Sequence, residues 1–312
     1  MKKVWLGAGI VIVLLIGVSA IQQDSGPSEQ STITTSSLKE PSRVGDYDVY
    51  SLELPSSLDF SGENVPLHQP DIKERADREF LVNTYWQSNG IMLIKKSKKY
   101  FPIIEPILAE EGIPNDFKYL AVIESGLANV KSPAGAAGFW QIMKTTGREL
   151  GLEVNDNVDE RYHLEKATRA ACKYLKQSKA RFGSWTLAAA AYNAGNAGIN
   201  RELERQQVND YYDLLLNAET GRYMFRILAL KEILKDPESF GFNVASESYY
   251  YQIPTEKKAV DYEISDLAAF AKANNINYKV LKIHNPWLRE NKLNNKSKKL
   301  YQIEIPLAGY YD

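Results

Sequence analysis

Glu124 closes the apolar run of "AVIESGL" at residues 121–127, directly before Ser125 and Gly126. Phe117, Leu120, Ala121 and Glu124 fall at helical offsets of three, four and seven, which puts the carboxylate on the same face as apolar neighbours. Pro114, Asn115 and Asp116 supply a start for that helix, so Glu124 lies near its C-terminal end. Desolvation and the negative end of the helix dipole both disfavour the ionised form there. A carboxylic acid kept protonated near neutral pH is what general acid catalysis requires. An exposed helix-end glutamate with no chemical role also fits this short stretch.

Three further stretches carry residue types suited to a binding cleft. "SPAGAAGFWQIM" (132–143) crowds small residues beside Phe139 and Trp140, so backbone can approach a ligand and a ring can stack on it. The glycine spacing and lysine of a phosphate loop are missing from it. "AAAAYNAGNAGIN" (188–200) ends an alanine-rich helix in Tyr-Asn-Ala-Gly, with Gly195 as its C-cap. "AETGRYMFRILAL" (218–230) reads as an amphipathic helix with Glu219 and Tyr223 one turn apart. Taken singly, each stretch reads as packing.

These stretches need a helical frame. From about residue 72 the chain shows apolar residues at mixed spacings of three and four, ending at Gly112. Residues 46–75 read as an extended arm laid on the domain that follows. Residues 22–45 are rich in Ser, Thr, Gln and Pro, a composition that cannot bury enough surface to offset chain entropy, and read as a flexible tether. Ahead of them, "MKK" precedes the uncharged apolar residues 4–21, the pattern of a secretory signal or a single membrane anchor. At the other end, residues 249–307 have β-rich ends flanking two short helices separated by Asn274 and Asn275.

Composition narrows the function class. The 312 residues suffice for one large and one small domain, and the net charge of −1 shows none of the basic excess of a nucleic-acid surface. With one cysteine there is no intramolecular disulfide, and three histidines far apart form no metal motif, so neither metal nor cofactor is expected. Cys172 sits at helical spacing in "KATRAACKYLKQ" and reads as a small buried hydrophobe.

Taken in order, Glu-Ser, "SPAGAAGFWQ", "AYNAG" and "ETGRY" resemble the family 1 lytic transglycosylases of bacterial cell walls, most closely the membrane-bound D-type branch. The upstream "RADREFLVNTYWQ" and "YFPIIEPILAEEGIPNDFKYL" resemble that branch too. The resemblance implies a mainly α fold, with a lysozyme-like helical transglycosylase domain over 65–243. It further implies peptidoglycan as substrate, cut between N-acetylmuramic acid and N-acetylglucosamine, in the bacterial envelope on its periplasmic face. Carried over by position, Glu124 is the single catalytic acid/base. Ser132 and Gln141 match residues that hydrogen-bond the carboxyl group or the sugar, Tyr192 and Asn193 match residues lining the centre, and Glu219 and Tyr223 match the glutamate of the family's Glu-Thr motif and its following tyrosine, all six as substrate-binding residues. Phe139-Trp140 stands where Leu-Met is commoner, a change that would reshape a sugar subsite. No second carboxylate appears in 132–143 or 188–200, whereas the usual glycosidase uses two. The implied chemistry needs only one, and yields 1,6-anhydromuramoyl ends. A lysozyme-type hydrolase and a non-catalytic glycan-binding scaffold are the alternatives.

Residues 246–308 resemble a divergent LysM-like module of strand–helix–helix–strand form, with "YEISDL" in place of the usual "GDTL" turn. A separable glycan-binding unit and a structural cap both fit, and the module's own complete pattern favours the first. The organisation expected is therefore a signal or anchor at 1–21, tether and arm at 22–64, the catalytic domain, and this small α+β module.

Overall fold

The computed structural model describes residues 50–311. The apolar segment at 4–21 and the tether at 22–45 lie outside the described residues. Among those described, no helix is long and apolar enough to cross a membrane.

The arm enters first. Strands β1 (Asp59–Phe60) and β2 (Glu63–Asn64) form a small hairpin whose Phe60 is fully buried, its ring edge-on to Phe117 at 5.0 Å. Glu63 reaches across to Ser184, Trp185 and Thr186. Two long helices follow, α1 (Pro70–Tyr85) and α2 (Gln87–Glu110), where the periodicity gave one continuous helical region. A 3-10 turn at Asn115–Phe117 leads into α3 (Lys118–Ser125). Phe117, Leu120 and Ala121 are fully buried, so the face read from their spacing is the core face. Gly126, at φ 60°, takes the left-handed position that ends α3 directly after Glu124 and Ser125.

After the short α4 (Lys144–Glu149), helix α5 (Leu164–Phe182) lies against α6 (Trp185–Ala194), with α7 (Asn196–Gln206) beyond it. Cys172 is free and fully buried in α5, as its spacing indicates. Helix α8 (Ala218–Lys235) packs on α1, α3 and α6, and its Met224, Phe225, Ile227 and Leu228 are fully buried. Apolar side chains of α1 to α3, of α5 to α8 and of the arm merge into one core.

The C-terminal module is β3 (Thr255–Val260), α9 (Leu267–Ala273), α10 (Tyr278–His284) and β4 (Tyr301–Pro306), the strands pairing antiparallel from Thr255↔Pro306 to Val260↔Tyr301. The mainly α fold class with a small strand–helix–helix–strand module is thus what the sequence led us to expect. The seam speaks against a separable unit. Ala137, Val158 and Tyr162 of the helical part share one apolar cluster with Leu267, Leu281, Trp287 and Ile303 of the module. Main chain crosses the seam as well: Asp159 N–H donates to the Trp287 carbonyl at 2.9 Å, and Arg289 N–H to that of Asn157 at 2.8 Å. Trp287 is 3% exposed and stacked on Tyr301 at 5.5 Å, so its ring is part of the module's core.

Candidate active site

Helices α3 and α8 meet where Glu124 stands. The residue is half-buried, but its carboxyl end is deeply enclosed. Tyr223, from the second turn of α8, donates its hydroxyl to Glu124 Oε1 at 2.5 Å. Burial pushes the Glu124 carboxyl up to about 7, with the Glu219 charge adding to it, against the Tyr223 hydrogen bond and the Arg226 charge, which lower it. One donor is too few to hold an anion in so enclosed a place. The group is poised to give and take a proton near neutral pH.

Tyr192 and Asn193 sit at the C-terminal end of α6. Tyr192 donates to the Trp140 carbonyl at 2.7 Å, and its ring packs edge-on to Tyr174 at 5.5 Å. Burial drives its phenol well above the ordinary range, and the Glu124 charge adds to this, which places it close to the acid. Asn193 joins α6 to α8: its Nδ2 donates to Glu219 at 3.3 Å, and its Oδ1 accepts from the Thr220 hydroxyl at 2.8 Å. Gln141, Tyr192 and Asn193 line one hollow of about 270 Å³, and Asn193 and Glu219 a second of about 340 Å³.

The 132–143 loop is shaped largely by its own polar groups. Ser132 Oγ accepts from Ala136 N–H at 3.1 Å, and Gln141 Nε2 donates to the carbonyls of Gly138 and Val130 at 2.7 and 3.1 Å. Gln141 itself sits at φ 45°, a conformation that is costly for a side chain of its size. A Cβ at Gly138 would lie 1.9 Å from the Arg161 carbonyl oxygen, so no other residue fits there. Among the described residues no hydrogen bond joins Ser132 or Gln141 to Glu124. The structure therefore brings Tyr223, Tyr192 and, by charge, Glu219 to the acid, and leaves Ser132 holding its own loop. Trp140 is fully buried and donates to Thr168 at 2.9 Å, so it anchors the loop to α5 and does not reshape a sugar subsite.

Three contributors went unread. Arg226 follows Tyr223 by three residues and Glu219 by seven, so helical spacing on α8 alone would have placed it on the acid's side. Thr220, inside "ETGRY" beside Glu219, supports Asn193 through its hydroxyl, and Tyr174 supports Tyr192 from α5, where no local pattern marks it. Among the described residues no group of three or more His, Cys, Asp or Glu could hold a metal ion.

Known proteins now bear on the site. Residues 101–215 match the family described as transglycosylase SLT domain, and residues 256–309 match the soluble lytic transglycosylase C-terminal LysM-like domain. Glu124, Ser132, Gln141, Tyr192 and Asn193 fall within the matched residues, while Glu219 and Tyr223 lie just beyond them. The chain is 32% identical over 152 residues to membrane-bound lytic murein transglycosylase D of Escherichia coli K12, and equally so to that of strain O6:H1. Each match covers 47% of this chain and 34% of the relative, so the chain spans about a third of the length of these curated relatives. An inactive mutant of lytic transglycosylase Slt from Pseudomonas aeruginosa aligns at 21% identity with a TM-score of 0.37, over 48% of this chain and 26% of that one.

Proposed function

We propose that this chain is a peptidoglycan lytic transglycosylase of lysozyme-like fold that cuts the bond between N-acetylmuramic acid and N-acetylglucosamine. The observation that carries the reading is the enclosed Glu124 carboxyl, with a single side-chain donor among the described residues, beside Tyr192 in the stretch that matches the transglycosylase SLT domain. Glu124 starts protonated and gives its proton to the glycosidic oxygen as the C1–O bond breaks. The N-acetyl carbonyl oxygen of the muramoyl residue bonds to C1 and takes up the positive charge that develops there. Glu124, now ionised, accepts the proton of the C6 hydroxyl while O6 attacks C1 and displaces the acetamido oxygen. A 1,6-anhydromuramoyl end results, and no water is consumed. A carboxyl near 7 suits both half-steps, because each protonation state is within reach near neutral pH. Tyr223 orients the carboxyl, and Asn193 with Glu219 and Thr220 fixes the end of α6 against α8. Gln141, Tyr192 and Asn193 contact the sugar from the hollow they line, and Ser132 supports the loop that carries Gln141.

Residues 1–21 act in this reading as signal or anchor, placing the enzyme in the bacterial envelope with peptidoglycan as its partner. The name of the curated relatives, a membrane-bound murein transglycosylase, agrees with an envelope location.

A hydrolase is the second reading, favoured by the Glu219 charge acting on Glu124, since two carboxylates are the usual glycosidase set. Mass spectrometry of muropeptides released from purified sacculi in 18O-labelled water separates the two. Anhydro ends without label are expected, and labelled reducing ends would establish the hydrolase.

A further inference from the structure

Away from the acid, between α2, the turn before α5 and the C-terminal module, lies a cavity of about 290 Å³. None of the seven candidate site residues lines it. Its size is at the lower end for small-molecule sites.

The charges around it balance. Lys99 and Lys257 face Glu165 and Glu304, and Lys257 is already paired with Glu165 at 3.2 Å. Burial pushes the His163 imidazole down to about 4, so it is neutral at neutral pH. A strongly anionic or cationic ligand would leave an excess of one sign in this enclosure. Uncommitted hydrogen-bonding groups are plentiful instead. The hydroxyls of Tyr100 and Thr255, the His163 imidazole and the Glu304 carboxyl all line the cavity, and no hydrogen bond to any of them is found among the described residues. Each belongs to a half-buried residue within reach of solvent, so a ligand group can replace the water at it. Phe139, Ile103 and Ile283 add apolar wall beside them. These donors and acceptors, in a lining with no net charge and beside a modest apolar surface, suit a molecule bearing hydroxyls, an amide and a methyl group.

We infer that this cavity is an accessory saccharide subsite, taking one neutral N-acetylhexosamine unit through Tyr100, Thr255, His163 and Glu304. The inference rests on the glycan-cleaving reading above for its source of ligand. It also gives the fused module a role, because the module supplies Thr255 and Glu304 to the subsite.

The chain has three histidines, of which His163 and His284 line the cavity and His68 does not, so imidazole resonances report occupancy directly. The full chain carrying Glu124→Gln is titrated with N,N′-diacetylchitobiose and followed by NMR. Saturable shifts of His163 and His284 with His68 unmoved are expected. Adding Tyr100→Phe and Thr255→Val, which remove two hydroxyls with little change of shape, should weaken that binding by about tenfold or more. Stationary His163 and His284 resonances would overturn the assignment, as would unchanged affinity in the hydroxyl-less variant. Shifts produced by tri-alanine and not by the disaccharide would also overturn it. Failure of the cleavage reading shows separately, as missing anhydro ends from the wild-type enzyme, and leaves saccharide-dependent histidine shifts readable.

Discussion

Two glutamates, one at each end of α6, are both removed in part from water and are driven in opposite directions. Burial alone would push Glu63 up. The N–H groups of Trp185 and Thr186 and the hydroxyls of Thr186 and Ser184 overcome it, and together they hold the carboxyl at about 2. Glu124 is enclosed more deeply, has among the described residues the Tyr223 hydroxyl alone as side-chain donor, and rises to about 7. Burial has the same sign at both places, so the number of donors decides which glutamate stays an anion. Glu63 is bound to the first turn of α6, the helix whose last turn presents Tyr192 and Asn193. One carboxylate fixes the frame, and the other is left with a proton to use.

The contrast can be broken most severely at the acid. Glu124→Gln keeps the shape and cannot donate the proton, so release of muropeptides should fall by about 10²–10⁴-fold. Its effect on stability should have the opposite sign. A carboxyl raised from 4.5 to about 7 by folding favours the folded state below pH 4.5 and disfavours it as pH rises through 7. The variant should therefore melt above wild type at pH 8 and level with it at pH 4, as thermal melts at the two pH values will show.

The seam with the module comes next in size. Trp287→Ala should cost about 3–5 kcal/mol, because the ring is buried in a cluster shared by both parts. Each kcal/mol lowers the melting temperature by roughly 2–4 °C in a domain of this size. A calorimetric scan that keeps the wild-type melting temperature for the helical part and shows a separate early transition would restore the module as an independent unit.

Glu63→Gln tests the other half of the comparison, at an expected cost of about 1–3 kcal/mol. Folding depresses this carboxyl from 4.5 to about 2, so its stabilisation is complete above pH 4.5 and is lost as pH falls through 2. Denaturant melts from pH 6 to pH 2 should show wild type losing that increment while the variant lacks it throughout.

The smallest effect is expected from Tyr223→Phe. Removing the donor to Glu124 should raise the acid further and move the alkaline limb of the pH–activity profile upward. An unmoved limb would mean that Tyr223 only fills space.

What could be read from the sequence was whatever repeats locally. Phe117, Leu120, Ala121 and Glu124 declare a face because a helix brings every third and fourth residue together, and Glu219 and Tyr223 do the same on α8. The strand–helix–helix–strand order of the module was legible for the same reason. Glu63 was not, because its partners lie more than a hundred residues away and nothing in "SGENV" names them. Trp140 misled for a related reason. An aromatic beside glycines suggests an exposed platform, and only the fold shows its indole N–H donating to Thr168 inside the core. The fusion of the module likewise depends on Val158 and Tyr162 meeting Leu288 and Trp287, an encounter that no periodicity encodes.

The central claim is that Glu124 carries a proton at a pH where an ordinary glutamate has lost it. A 13C titration of the Glu124 carboxyl in the full chain, assigned by difference against Glu124→Gln, reads this without substrate or turnover. The account predicts a midpoint near 7, and a midpoint near 4.5 would contradict it.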